Sequence, residues 1–219
     1  MSISPAELCD RFEQLYPGAV ADTLDALGYE GHTLPAGIGP LTSNMRMAGI
    51  AFPVRGQPDD EVEYDANIRN FLQMLSEAPP ESALAYETND ERAAHIGELT
   101  VTALKEGDCR GAVLDGGARD IAYVLEQDFP VFTRYRTPLD APPRWRITDW
   151  DVPVSIGEVE IQPRDVLVGD ADGVVRVPRD VSEDVLTRAE QTVQDEDAVR
   201  SAIREGVDPL EAYERYGTF

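Results

Sequence analysis

The sequence is poor in positive charge and nearly devoid of lysine. Lysine and arginine total 19 against 42 acidic residues, giving a net charge of −23 and a pI of about 4.2. Nucleic-acid binding relies on a basic surface that neutralises phosphates, so no nucleic-acid partner is expected. Lys105 is the one lysine, and the other 18 basic residues are arginine. It lies in ALKEGD, at a polar helix end where a cation suits the helix dipole. Schiff-base catalysis needs a lysine desolvated in a pocket, so lysine-imine chemistry is not expected. Any carbanion chemistry in this chain calls for a metal.

Cysteine is equally scarce. Cys9 and Cys109 are the only two and lie far apart, a pattern of reduced thiols in a cytoplasm. They are too few for a cysteine zinc site. No apolar run approaches the roughly 20 residues of a membrane span, so no membrane association is expected. The opening MSISPAELCDRFEQ is acidic and mixed, unlike a secretory leader. There is no GxGxxG after a strand and no GxxxxGK[ST], so nucleotide binding has no motif support. GxSxG is absent, and two histidines leave little room for a Ser–His triad.

What is present is a folded, acidic chain. Its 219 residues allow one large domain or two small ones, and 42% hydrophobic residues supply a sizeable core. The apolar content argues against disorder. The acidic charge is spread along the whole chain. A lysine-poor acidic surface fits a high-salt cytoplasm, where ions screen the self-repulsion of the compact state.

In order, helices are expected from Pro5 to about Tyr16, capped by Ser4, and from Gly18 to Leu27. Asp22 and Asp25 read as solvated carboxylates. A Gly/Pro loop, Gly31–Ser43, leads to a strand at Arg46–Arg55. Val62–Ala78 reads as a helix with Ile68, Phe71, Leu72 and Leu75 on its apolar face. A short strand at Ser82–Tyr86 and a polar loop at Thr88–Arg92 follow, and His95 reads as a capping or surface residue. Pro130–Tyr135 is a strand. Arg136–Asp149 reads as a long Pro/Arg-rich loop. Arg134, Arg136, Arg144 and Arg146 there form the one cationic cluster, suited to an anionic substrate or, more simply, to acidic neighbours. From Val152 the segments VPVSI, VEIQP, VLVGD and GVVRVP read as a compact β meander. A long acidic amphipathic helix, Asp180–Glu205, and a short helix around Pro209–Tyr216 close the chain. One domain over 1–219 is the simplest organisation, with a core over about 18–178 and a helical arm over about 180–219.

The chemistry concentrates in GELTVTALKEGDCRGAVLDGGARD, Gly97 to Asp120. It reads as helix, turn, strand, glycine turn and helix start. Gly111–Asp115 is a short apolar run of the kind buried on both sheet faces. Gly116 and Gly117 suit a tight turn. Arg119 and Asp120 then stand at a helix start beyond the carboxyl end of a strand, where open α/β sheets place ligands. A guanidinium can fork onto a carboxylate or enolate, and a carboxylate can hold a hard divalent cation. The plainer alternative is an ordinary Arg–Asp pair dressing a helix start.

The chain resembles the RraA-like superfamily, which contains the metal-dependent 4-hydroxy-4-methyl-2-oxoglutarate aldolases and the regulators of ribonuclease E. The resemblance runs through VADTLDALG, RMAGIAFPVRG, GEL…GAVLDGGARD, FPVF…TP, VPVSIGEVEIQPRDVLVGDADGVVRVP and AEQTV…IREG. It implies a compact layered α/β domain related to the swivelling phosphohistidine domain, with a β meander and a C-terminal helical arm. The aldolases carry an acidic residue, twenty spacers, then Arg–Asp, matched here by Glu98, Arg119 and Asp120.

By resemblance, Asp120 ligates Mg²⁺ or Mn²⁺, Arg119 binds the 2-oxo acid and its enolate, and Glu98 holds a metal-bound water. The stretch Gly97, Leu99 and Thr100 then receives the substrate carboxylate through backbone N–H groups. A further carboxylate comes from a neighbouring subunit's C-terminal helix. Glu196 matches it, and Asp195 is what a one-residue offset selects. The implied assembly is a homotrimer or a hexamer of two trimers, with sites between subunits. Glu98 replaces the family's Asp, PRD at Pro163–Asp165 replaces PGD, and GEV at Gly157–Val159 replaces GGV. The implied reaction is retro-aldol cleavage of a 4-hydroxy-2-oxo acid to pyruvate, with oxaloacetate decarboxylation through the same enolate. The rivals are a non-catalytic regulator that binds a ribonuclease or helicase, and a different small-acid lyase on the same scaffold. An intact Glu98–Arg119–Asp120 set favours the enzyme.

Overall fold

The computed structural model describes residues 3–218, so the outermost residues of the 1–219 domain assignment lie outside it. Helix α1 spans Pro5–Glu13. Ser4 caps it by accepting from the Glu7 amide at 3.2 Å, with Pro5 in its first turn. Helix α2, Pro17–Ala26, follows after a short turn. The chain continues through β1 (Gly39–Pro40) and the long β2 (Met47–Pro58). Then come α3 (Tyr64–Glu77), β3 (Ser82–Glu87), β4 (Ala94–Ile96) and α4 (Glu98–Glu106). Strand β5 (Gly111–Ala118), helix α5 (Ile121–Glu126), β6 (Val131–Arg136) and β7 (Trp145–Trp150) complete the central part. Strands β8 (Val154–Ile156), β9 (Val159–Ile161), β10 (Val166–Asp170) and β11 (Gly173–Val177) precede helices α6 (Ser182–Arg204) and α7 (Pro209–Tyr216).

The fold is mixed α/β. A nine-stranded sheet runs β1-β6-β5-β3-β2-β10-β11, with β4 added to β5 and β7 to β2. Strands β2, β3, β5 and β6 pair in parallel, whereas β10 returns antiparallel to β2. Thr33 bridges to Val175 of β11 shortly before β1 pairs with β6, so the sheet nearly closes on itself. The short strands after Val152 form two successive hairpins. The β8–β9 pair stands alone as a two-stranded sheet, and β10–β11 joins the main sheet.

Strand β5 is covered on both faces, as its apolar run requires. Leu114 packs with Val101, Leu104 and Trp145 on one side, and Val113 with Phe132, Ile156 and Ile161 on the other. Each such fully buried aliphatic side chain contributes on the order of 2 kcal/mol. A third cluster seats α1, α2 and α6 on β10 and β11 through Phe12, Leu24, Val168, Val175 and Leu186.

Three local expectations are corrected. Gly116 and Gly117 do not turn the chain, because β5 runs through them to Ala118. They are small because neighbours crowd them. A Cβ at Gly116 would sit 2.7 Å from His95 Nδ1, and one at Gly117 2.4 Å from the Tyr135 ring. Residues 136–149 are not one loop, because β7 occupies their second half and pairs antiparallel with β2. Trp145 and Ile147 are buried while Arg146 and Thr148 are not, the alternation of a half-buried strand. His95 is neither a cap nor a surface residue. It lies in β4, 3% exposed.

Candidate active site

The site forms where β4 and β5 end side by side. Strand β4 leads through Gly97 into α4, and β5 leads through Arg119 and Asp120 into α5. The Arg119 amide donates to the Ile96 carbonyl at 3.0 Å and locks the two exits together.

Asp120 sits at the N-cap of α5 but does not cap it. Its backbone is left-handed, with φ of 56°, a conformation that Asp tolerates better than most residues. Its carboxylate reaches across to α4 instead, where Oδ2 accepts from the Glu98 amide at 3.3 Å. The same oxygen lies 3.5 Å from Arg119 Nε. The pair therefore does more than dress its own helix start.

Gly97 makes room for this convergence. A Cβ there would stand 2.6 Å from Asp120 Oδ2 and 3.1 Å from Arg119 Cγ. Gly97 also offers no side-chain cap to α4. The Leu99 and Thr100 amides consequently point out of the first turn with no hydrogen-bond partner among the described residues. Free amides at a helix start, beside a guanidinium, favour a carboxylate.

The Arg119 guanidinium is held from its other end by Asp140, with Nη1 to Oδ1 at 3.0 Å. Nothing in the sequence singled out Asp140, because it lies in TPLDAPP at the head of the arginine-rich stretch. Long-range contacts, among them the bridge between Ala94 and Asp140, bring that stretch over β4. The Glu98 carboxylate faces α4, where Oε1 accepts from Thr102 Oγ1 at 3.1 Å.

These groups open into a cleft of about 570 Å³. Gly97, Glu98, Leu99, Thr100, Arg119 and Asp120 all line it. Asp140, His95 and the apolar side of α3 complete it. Asn67 holds α3 in place by donating to the Pro142 and Trp145 carbonyls at 2.9 and 2.8 Å.

His95 belongs to the cleft wall, with its ring edge-on to Trp145 at 4.8 Å between centroids. Its Nδ1 accepts from the Gly117 amide at 3.4 Å. Its Nε2 lies 3.4 Å from Asp90 Oδ2. Burial pushes the imidazole pKa down to about 4, against the pull of Asp90. The ring is thus neutral at pH 7 and acts as an acceptor that fixes β4 against β5.

The arginine-rich stretch borders the cleft, but its four arginines do not line it. Arg134 pairs with Asp115 and Arg146 with Asp59, whereas Arg136 and Arg144 donate to the Leu41 and Asp140 carbonyls. Glu196 lies on α6, where it accepts from the Tyr16 hydroxyl and lies 3.9 Å from Arg200. Asp195 accepts from Gln191 at 2.9 Å. Neither carboxylate lines the cleft of its own chain.

The profile of the RraA-like family, described as Aldolase/RraA, matches residues 6–176. The chain belongs to the RraA-like family. It is 30% identical over 214 residues to a putative 4-hydroxy-4-methyl-2-oxoglutarate aldolase of Halalkalibacterium halodurans, covering 97% of this chain and 96% of that protein. Among solved structures, one described as novel cellulases from microbes associated with the gut ecosystem superposes with a TM-score of 0.85 at 35% identity, over 90% of this chain and 88% of the other. Streptomyces coelicolor RraAS2, described as an unusual member of the RNase ES inhibitor RraA family, superposes with a TM-score of 0.79. Its identity is 24%, over 91% of this chain and 98% of that one, so that likeness speaks for the RraA-like fold alone.

No three His, Cys, Asp or Glu side chains gather into a metal cage among the described residues. The donor set fits a different binding mode. Mg²⁺ keeps most of its water and is often held by one or two carboxylates. The Asp120 side chain is 44% exposed and its Oδ1 has no partner among the described residues, which suits one bond to a hydrated ion. Among the described residues no helix is long and apolar enough to cross a membrane.

Proposed function

We propose that this RraA-like chain is a divalent-metal-dependent lyase that cleaves a 4-hydroxy-2-oxo acid, of the 4-hydroxy-4-methyl-2-oxoglutarate type, to pyruvate. The same site would decarboxylate oxaloacetate. The observation that carries this is the reach of Asp120 away from its own helix to the start of α4, beside Arg119, in a cleft with two free amides.

The substrate carboxylate lies against the Leu99 and Thr100 amides. Arg119, steered by Asp140, donates to the 2-oxo oxygen and holds the charge that grows there as the enolate forms. Asp120 would hold Mg²⁺ or Mn²⁺ through its outward oxygen, and the bound ion supplies Lewis-acid polarisation of the same oxygen. Glu98 sits at the cleft edge to hold a water that moves protons. Glu196, or Asp195 beside it, adds a carboxylate from a neighbouring copy, which makes a homotrimer or hexamer the working form.

Two features disfavour the other readings. A regulator that binds a ribonuclease or helicase has no use for a guanidinium clamped between Asp120 and Asp140 inside a cleft. A cellulose chain calls for polar groups along its hydroxyls, whereas one wall here is Ile68, Phe71, Leu72 and Leu75.

The test is pyruvate release from oxaloacetate and from 4-hydroxy-4-methyl-2-oxoglutarate in high salt, with Mg²⁺ or Mn²⁺ and then with chelator. Chelator-sensitive turnover of both is expected. Turnover of oxaloacetate alone removes the aldolase assignment and keeps the site. No turnover by folded, metal-loaded protein contradicts the proposal.

A further inference from the structure

The cleft is lopsided. Its polar end is the Gly97–Arg119–Asp120 corner, and its far wall is aliphatic and aromatic. Helix α3 presents Ile68, Phe71, Leu72 and Leu75 to it, and Leu99 and Tyr123 stand among the other lining residues. Ile68, Leu72 and Leu75 recur at helical spacing, so one stripe of α3 lines the cleft, with Leu75 also packed against the core beneath it. Leu72 is 53% exposed, Tyr123 64% and Leu99 79%. Apolar groups left open in one patch mark a surface that meets an apolar ligand or partner.

The charge inventory says which ligand. Among the described residues Arg119 is the one cationic side chain lining the cleft, and it already lies between Asp120 and Asp140. The lining acids are Glu98, Asp120 and Asp140. A substrate's 1-carboxylate has the α4 amides and Arg119 to meet it. A second carboxylate at the far end would meet no cation among the described residues of this chain, only the aliphatic side chains of α3 and the rings of Tyr64, Phe71 and Tyr123, and would lose most of its hydration without a charged partner. An alkyl or aryl group there would instead bury apolar surface against α3.

Resting on the lyase reaction proposed above but departing from its dicarboxylate example, we infer that the preferred substrates are 4-hydroxy-2-oxo monocarboxylic acids with an apolar C4 substituent, seated on the Ile68–Leu75 face of α3. The balance of the step is simple. The 4-hydroxyl loses its proton to a base and the C3–C4 bond breaks, with its electron pair left on C3. C4 leaves as an apolar aldehyde, and C3 takes a proton to give pyruvate. No oxidant or reductant is required.

The experiment compares kcat/KM of the full chain, in high salt with Mn²⁺, on 4-hydroxy-2-oxo-4-phenylbutanoate and on 4-hydroxy-4-methyl-2-oxoglutarate, with oxaloacetate as reference. The phenyl substrate is expected to be favoured at least tenfold. Leu72→Arg places a cation on the wall at an exposed position and is expected to lower the phenyl-to-dicarboxylate ratio at least tenfold. Equal or better use of the dicarboxylate by the wild-type chain, with oxaloacetate still consumed, overturns this inference alone. So does a ratio that Leu72→Arg leaves unmoved, which would mean that a second copy of the chain covers the wall. Failure to consume oxaloacetate overturns the lyase proposal, and this inference with it.

Discussion

Asp140 Oδ1 lies 3.0 Å from Arg119 Nη1, so a carboxylate from the β6–β7 connection sets the direction of the guanidinium that faces the cleft. Asp140 touches no reacting atom in the proposed mechanism. Its work is to hold Arg119 on the 2-oxo oxygen. Asp140→Asn should keep the fold and lower kcat on oxaloacetate by about tenfold to a hundredfold, the range that a small misplacement of a clamp costs. KM should change less than kcat, since the α4 amides still bind the carboxylate. Steady-state kinetics together with circular dichroism decide it, and an unchanged kcat would remove Asp140 from the site.

Gly97 separates stability from activity. Its φ of −147° is ordinary extended backbone, open to any residue. An added Cβ would meet the end of a side chain, Asp120 Oδ2 at 2.6 Å, which can swing away at little cost to the fold. Gly97→Ala should therefore melt within a few degrees of the wild type. It should lose on the order of a hundredfold in turnover, because the displaced group is the proposed metal ligand. A variant with full activity would mean that the Asp120–Glu98 contact is dispensable.

His95 makes stability depend on pH. Its pKa falls from 6.5 to about 4 on folding, through burial. Below pH 6.5 the unfolded chain therefore takes up a proton that the folded chain refuses. The neutral ring's contribution is complete above pH 6.5 and is lost as pH falls towards 4. By pH 5 the loss is about 2 kcal/mol. Urea unfolding at pH 7 and pH 5 should show the wild type losing about that much more stability than His95→Gln, which cannot titrate. Parallel losses in the two proteins would contradict the placement of His95.

The proposed shared site calls for complementation. Arg119→Ala and Glu196→Gln should each be nearly inactive alone. Mixed assemblies of the two should regain activity, because some sites then combine an intact Arg119 from one copy with an intact Glu196 from another. No recovery in demonstrably mixed oligomers would mean that Glu196 does not serve a neighbour's cleft.

Charge predicts a salt requirement. With a net charge of −23, the folded chain repels itself, and screening relieves that repulsion. The melting temperature should rise steadily with KCl. A melting temperature independent of salt would argue that the many Arg–carboxylate pairs, such as Arg110 with Asp10 and Glu81, already balance the field.

Much of the architecture was readable in the residues. Ser4–Pro5 marks a helix start, the apolar GAVLD marks a strand covered on both sides, and Asp180–Glu205 carries the pattern of the long α6. Local pattern failed where a distant neighbour decides the outcome. Gly116 and Gly117 looked like a turn because glycine permits one, but His95 and Tyr135 pack so close that only glycine fits an extended strand there. The alternation in WRITDW was visible, yet the four arginines and the prolines around it favoured a loop.

The same limit holds at the site. Glu98, Arg119 and Asp120 were legible because the chain brings them to two adjacent strand exits. Asp140 was not, because long-range contacts such as the Ala94–Asp140 bridge carry it there. The apolar face of α3 was legible as Ile68, Phe71, Leu72 and Leu75, but not that it would line the cleft as well as pack, through Phe71 and Leu75, against the core.

The most direct measurement is the Mn²⁺ dependence of pyruvate release from oxaloacetate by the wild type and by Asp120→Ala, paired with a direct Mn²⁺ binding titration of each. The account predicts saturable, chelator-sensitive turnover and Mn²⁺ binding in the wild type, with both lost in a folded Asp120→Ala variant. Turnover or metal binding that survives the loss of Asp120 would contradict it.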